Sequence, residues 1–428
     1  MISSNPISQE ATLKLRLFWS ADLIASIALG VYLVAFNWLT VKNYGAFGVS
    51  MVTIGYAIPQ TVLVLFGGVT SDFINKQTLY RICQILYILV GLALYIACRY
   101  DLPPLWFLTL ISFLGGLTVA FSSPNKTSLI SNLVPTSQVT STQEFFYFAS
   151  GLGWVLGSLV ASQLISIEFL SISNPHGSLA FLFYIVGMIP SIFLVPKTIK
   201  IETAAISANT FERKITHAIT DIRKSFQYLR ENVDLNILAR TLAMILILGM
   251  PFTYLLSIYA HSHPTLYPSS QFFSHVYAAL GAGNLVGAIL GIVLAKSLMK
   301  RATLFVYFIF GLCIFAISAL LLYQYWEILL TVLLVGLFTS LSTNLLKGLI
   351  QSQAAEDMRG RIAGFTELLG GFSSMSAALA GFVIHHLSSH ENKLYFAYES
   401  VQLVLLGLLA VLTLLSLPSI MKLRINPQ

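Results

Sequence analysis

Two carboxylates stand where an ionisable side chain is costly. Asp22 and Glu367 are the acids that fall clearly inside long apolar runs of the chain, and a charged group persists in hydrocarbon only when it faces a cavity, a partner or an ion pathway. The chemistry this suggests is reversible protonation, with Asp22 and Glu367 as the proton-coupling pair. For each, a structural hydrogen bond to a neighbouring helix competes with that reading, and Glu367 could instead hold a cationic cargo. Asn37, Gln60, Asn284 and Asn344 lie in other apolar runs, as does Trp154. They are substrate-cavity candidates, with interhelical packing and hydrogen bonding as the alternative. The sequence holds no HExxH, no GxSxG and no GxxxxGK[ST], which removes the usual signs of a metalloprotease, a serine hydrolase and a nucleotide-driven pump. No enzyme activity and no cofactor are expected, so energy for work would come from an ion gradient, most simply protons. Seven histidines, His176, His261, His263, His275, His385, His386 and His390, sit near one set of run ends. His386 and His390 are spaced to share a metal on a helix, but solvated loop ends explain them as well, and no metal site is expected.

The elements that must position these groups are membrane spans. Of 428 residues, 56% are hydrophobic and only 10% charged, against about 25% charged in soluble domains; mean hydropathy is +0.80. Twelve apolar stretches are long enough to cross roughly 30 Å of hydrocarbon as helices: 15–40, 48–70, 78–99, 104–122, 144–166, 178–195, 236–260, 272–295, 302–323, 327–346, 363–386 and 397–418. An all-α membrane protein of twelve transmembrane helices follows. With both termini in the cytoplasm, 21 Lys and Arg fall on the cytoplasmic side and three, Lys42, Arg99 and Lys393, on the other, as the positive-inside rule requires. A multi-pass protein of the bacterial inner membrane is expected. The net charge of +7 thus reflects topology in a lipid bilayer and no nucleic-acid partner. The first run, preceded by "LKLR" and lacking a small-x-small cleavage site, reads as a retained helix and not a signal peptide. Cys83, Cys98 and Cys313 lie in apolar runs and are expected as buried, reduced thiols.

A hydrophilic stretch divides the chain into a six-helix bundle over 1–195, a linker over 196–235 and a second six-helix bundle over 236–428. In the linker, Phe211, Ile215, Ile219, Ile222, Phe226 and Leu229 recur at helical spacing, which suggests an amphipathic helix on the membrane surface; a solvated linker is the alternative. The halves echo one another. "GGVTSDFINKQTLYR" at 67–81 makes a polar bend with Gly68, Asp72 and Lys76, and "GIVLAKSLMKR" gives a similar bend 223 residues later; "SLISNL" and "GLIQSQ" are 220 apart. Repeated halves of six helices are a transporter architecture, with the binding site between them. Gly153 and Gly157, and Gly283, Gly287 and Gly291, are spaced to let helices pack closely.

These features resemble the major facilitator superfamily over nearly the whole chain. The 67–81 bend is similar to that superfamily's Gly-x-Leu-Ala-Asp-Arg-x-Gly-Arg signature, keeping Gly68, Asp72 and a basic Lys76 but carrying Phe73 and Asn75 at two signature positions. Ala149-x-x-x-Gly153-Trp154-x-x-Gly157-Ser158 is a worn form of its antiporter signature, with Trp154 in place of proline. "SSPNKTSLISNLVPTSQVTSTQEFF", "DIRKSFQYLREN" and "GLIQSQAAEDMRGRIAGF" resemble the drug-efflux branch that includes macrolide exporters and the enterobactin exporter. The resemblance implies a monomeric secondary transporter with a central cavity and alternating access, exporting a small amphiphile such as a drug-like molecule or siderophore by proton antiport. An uptake permease or a lysophospholipid flippase of the same superfamily is the alternative, and a non-transporting receptor a more distant one. Asp72 at the start of helix 11, with Arg361, would latch the cytoplasmic gate.

Overall fold

The computed structural model describes residues 9–73, 75–131, 134, 139–166, 177–195, 220, 224, 226–263, 270–298, 303–355, 358–391 and 394–421, the side chains at 64–73 and 359–361 lying outside the described set. Among the described residues every regular element is helical. The first, Gln9–Phe73, is two spans folded back on each other at Gly45, whose φ of 58° and ψ of −152° break the helix. They are α1 (residues 9–44) and α2 (residues 46–73). That corner of backbone space is essentially reserved for glycine. The rest are α3 Lys76–Tyr100, α4 Leu105–Ser131, α5 Val139–Ser166, α6 Ser178–Phe193, α7 Val233–Ser262, α8 Ser270–Leu298, α9 Thr303–Leu321, α10 Tyr325–Gln353, α11 Arg359–Glu391 and α12 Leu394–Met421. Among the described residues nine stretches are long and apolar enough to cross a bilayer, α1–α2 being one of them, and α6 and the Ile309–Leu321 part of α9 are shorter apolar helices. The protein is a multi-pass membrane protein of twelve helices in two halves, α1–α6 and α7–α12. The start of α1 and the end of α12 lie at one end of the bundle, the terminal face, and Gly45 lies at the other.

Lipid tails are as apolar as leucine, so spans associate by close packing, and small residues permit it. In the first half α5 lies on α1. A Cβ built at Gly157 would come 2.8 Å from the Gly30 Cα, and one at Gly153 would meet Ser26. In the second half α8 lies on α10, with Gly283 and Gly287 against the backbone carbonyls of Leu333 and Leu337. Gly291 departs from the expectation. A Cβ there would make only ordinary contact, 3.6 Å from Leu341 Cδ1, because the two helices have diverged by that turn.

The halves meet along two seams. On one, α2 faces α11: a Cβ at Gly371 would lie 2.9 Å from Thr61 Cα, and Gly381 faces Ser50. On the other, α5 faces α8, with Leu285 Cδ1 3.0 Å from the Cβ position of Gly151. Towards the Gly45 face the seam is aromatic. Trp38 packs edge-on against His261 and Phe273 at 5.5 and 5.0 Å, and Phe47 lies 5.8 Å from Phe382 and 5.2 Å from His385.

Three expectations about bends need correction. The helix continues through Gly67 and Gly68 to Phe73; the interruption comes at Asn75, whose Oδ1 accepts the Gln77 amide at 3.0 Å and starts α3. An N-cap asparagine satisfies a helix donor that would otherwise lack a partner, so it, not glycine flexibility, sets the turn. α11 begins at Arg359, four residues ahead of the apolar run that starts at 363, placing Glu367 two turns into the helix. α7 is interrupted, because Ile245–Gly249 is a π-turn closed by Met250 N–H to Ile245 O at 3.1 Å. Pro251 has no N–H to give Ile247 O, and the Ser376 hydroxyl of α11 donates to that carbonyl at 2.7 Å instead.

Candidate functional site

Asp22 sits 13 residues into α1, about 20 Å along it at 1.5 Å per residue. One turn earlier, Phe18 joins Tyr80, Leu129, Ile130, Phe146 and Val195 in a buried apolar cluster on the terminal side of the first half. Against this cluster the Asp22 side chain is only 7% exposed, and its Oδ1 lies 2.6 Å from Lys126 Nζ on α4, whose side chain is 26% exposed. Lys126 also stands 5.6 Å from the Phe146 ring centroid, a distance at which the ring face attracts a cation. Asp22 Oδ2 is buried and makes no hydrogen bond among the described residues.

The second acid is also paired. Lys347 Nζ of α10 donates to Glu367 Oε1 of α11 at 3.0 Å, but the side chains are 31% and 58% exposed. Asp22 and Glu367 therefore sit in two separate ion pairs, one in each half, and do not form one centre. The expectation that Glu367 stands open for a cationic cargo meets an ammonium already in place. Lys126 and Lys347 were counted as loop charges marking the cytoplasmic side. The structure places both inside helices, five and six residues before the ends of α4 and α10.

Of the cavity candidates, Asn37 spends its amide on its own helix, donating from Nδ2 to Leu33 O at 2.8 Å. Asn344 is exposed and donates to Ser340 Oγ at 3.1 Å. Gln60 is half-buried, its Oε1 without a hydrogen bond among the described residues. Asn284 is half-buried on α8 and Trp154 exposed on α5. At the expected gate, Gly68 and Asp72 lie in the last turns of α2 and Arg361 in the first of α11, but their side chains are outside the described residues. Lys76 opens α3, its carbonyl accepting Asn125 Nδ2 at 2.9 Å.

The described histidines near the Gly45 face divide between buried and exposed, His385 being one of the exposed ones. His261 and His263 are buried, and His275 is hydrogen-bonded to the Tyr325 hydroxyl. His263 Nε2 faces Leu322 O at 3.3 Å. Burial lowers the His263 pKa, and the bond to that carbonyl opposes the shift. His386 is exposed, while His176 and the His390 side chain lie outside the described residues. Among the described residues no three metal-ligating side chains cluster, and the three cysteines are free and buried.

Residues 18–378 match the family model of the Major Facilitator Superfamily. The chain belongs to that superfamily. No curated protein matches it closely enough in sequence to count as a relative. Its fold is similar to that of a bacterial homologue of the human lysosomal transporter Spinster, solved inward-facing and unoccupied, with a TM-score of 0.71 at 12% identity over 100% of both chains. It is also similar to the nucleoside transporter NupG, with a TM-score of 0.69 at 13% identity over 96% of this chain and 99% of that one. A D-xylose–proton symporter gives 0.66 at 16% identity, covering 94% and 97%. At these identities the likeness is one of fold. As a superfamily member the chain is a transporter.

Proposed function

We propose that this transporter exports a small amphiphilic compound by proton antiport, with Asp22 carrying the coupling proton. The observation that carries the reading is the Asp22 carboxylate itself, 7% exposed, paired on one oxygen with Lys126 and without a hydrogen bond on the other. Transfer of a proton to Oδ2 cancels the charge that holds Lys126, so occupancy by a proton and the packing of α1 against α4 become one equilibrium. A ligand shifts a conformational equilibrium only by its differential affinity for the two states, and on this reading the difference for the proton is the separation of Lys126 from Asp22 in the second state. Export rests on the sequence resemblance to drug-efflux carriers. Both termini in the cytoplasm, a bacterial inner-membrane location, a monomer and an Asp72–Arg361 gate belong to the same reading. The second reading, uptake with protons moving alongside the cargo, draws support from the fold shared with a D-xylose–proton symporter.

The test uses the purified chain in sealed vesicles. Asp22→Asn keeps size and most hydrogen bonding but cannot titrate. It should abolish pH-gradient-driven accumulation and spare downhill exchange; accumulation equal to the parent would remove Asp22 from the coupling role. Flux opposite in direction to the imposed proton flow supports antiport, and flux along it supports the uptake reading.

A further inference from the structure

The two ion pairs differ in which partner is the less exposed: the carboxylate in the first, the half-buried ammonium in the second. In the first half Asp22 is at 7% against Lys126 at 26%. In the second half Lys347 is at 31% against Glu367 at 58%. A ligand entering an ion pair displaces the partner that water reaches more, because that partner regains hydration as it swings away, while the less exposed partner stays as the fixed charge.

We propose that Lys347 is the anchor for an anionic group on the cargo, a carboxylate, sulfonate or phosphate carried on an apolar body. This deepens the reading of the chain as a carrier and rests on it. A cation drawn to Glu367 would have to settle beside an ammonium already 3.0 Å from Oε1, and the two like charges oppose each other. An anion meets the reverse situation. Glu367 rotates into water, and the three N–H donors of Lys347 turn to the incoming oxygens. Hydrogen bonds between ionised partners are shorter and stronger than neutral ones, so the exchange of one carboxylate for another anion retains the charge balance of the site.

The pair is also in the right place to meet cargo. Glu367 stands one turn before Gly371, the residue at which α11 touches Thr61 of α2, so this face of α11 is turned to the other half. Lys347 stands one turn beyond the exposed Asn344, which is bound to Ser340 Oγ, and the Ser340 Cβ lies 3.0 Å from the Cβ position of Gly287 on α8. Glu367 therefore lies near the face of α11 turned to the other half, and the Asn344 amide stands one turn from Lys347 on α10 as a second polar contact. Asp22 and Lys347 divide the work: the buried carboxylate of one half takes the proton, and the half-buried ammonium of the other takes the anion.

The experiment measures binding of two probes with one aromatic body and opposite charge, 1-naphthoate and 1-naphthylmethylammonium, to the purified full-length chain in lipid nanodiscs. Naphthoate should bind in preference to the ammonium. Lys347→Gln should weaken naphthoate about tenfold or more, the loss of one charge-assisted hydrogen bond, and Glu367→Gln should tighten it by removing the competing carboxylate. The charge swap Lys347→Glu with Glu367→Lys keeps a pair in place, guards against simple misfolding, and should reverse the preference between the probes. Tighter binding of the ammonium, naphthoate affinity indifferent to Lys347→Gln, an unreversed preference in the swap, or binding of neither probe overturns the proposal. Naphthoate bound through Lys347 but never moved across a vesicle membrane would keep the anion site and refute the carrier reading.

Discussion

Replacing Lys126 with methionine should strand a buried charge. The Asp22 side chain is 7% exposed, its Oδ1 would lose the ammonium at 2.6 Å, and its Oδ2 already lacks a hydrogen bond among the described residues. Breaking a buried pair from one side costs roughly 3–5 kcal/mol, because the remaining ion has neither water nor partner, whereas replacing both partners with groups of similar shape is often neutral. Lys126→Met alone should therefore destabilise by about 3–5 kcal/mol, and Lys126→Met with Asp22→Asn should recover most of that loss. The cycle is closed with Asp22→Asn alone, which leaves Lys126 the more exposed of the two and should cost less. Denaturant-induced unfolding of the purified chain at neutral pH, followed by far-UV circular dichroism, reads all four proteins. A cost below about 1 kcal/mol for Lys126→Met, the value of an exposed pair, or a double variant no better than the single one, would refute the claim that α1 and α4 enclose an electrostatic unit.

Gly45→Ala should cost about 1–3 kcal/mol through backbone strain alone, since nothing lies within 4 Å of its Cβ position; the unfolding midpoint checks it, and an unchanged midpoint would mean that the α1–α2 turn relaxes to another conformation. Acid should also weaken the fold at His263. Its pKa is lowered by burial, so below about 6.5, the ordinary histidine value, the unfolded chain binds a proton that the folded one resists. That contribution is complete above this pH and is lost as pH falls through it. The melting temperature should drop between pH 7.5 and 5, and His263→Gln should flatten the drop; identical slopes in both proteins would exclude the histidine as its source.

The twelve spans were legible because the signal for each is local, a run of apolar residues of sufficient length, and the Gly45 turn lies between two of them. α4 was cut short at 122 because "SSPNKTSLIS" is polar on average. The structure extends the helix to Ser131, with Asn125, Leu129 and Ile130 buried in the bundle. Tertiary burial of one face overrode a window average. The same averaging hid Lys126 and Lys347, which were read as markers of a membrane side when each is half of an ion pair. Asp22 was legible as a lone acid in an oily run. Its partner was not, since a contact between α1 and α4 leaves no periodicity in either segment. The spacing of Gly283, Gly287 and Gly291 does not record that Cβ positions at the first two meet the α10 backbone while that at Gly291 makes only ordinary contact with Leu341. The break in α7 had a visible cause in Pro251, but the hydroxyl that relieves it lies on another helix.

That hydroxyl has a consequence for how the protein is made. Pro251 removes the α-helical donor to Ile247 O, and Ser376, which donates to that carbonyl, follows 129 residues later in the chain. In hydrocarbon an unsatisfied backbone carbonyl costs several kcal/mol, and at about 5–20 residues per second the ribosome takes roughly 6–26 s to deliver the missing group. During that interval α7 has left the tunnel with a polar gap in its middle. The gap has to be covered by water, by the translocation machinery or by a different hydrogen-bond register. The hydrogen-bonding of α7 at Ile247 is thus completed only after α11 has been made.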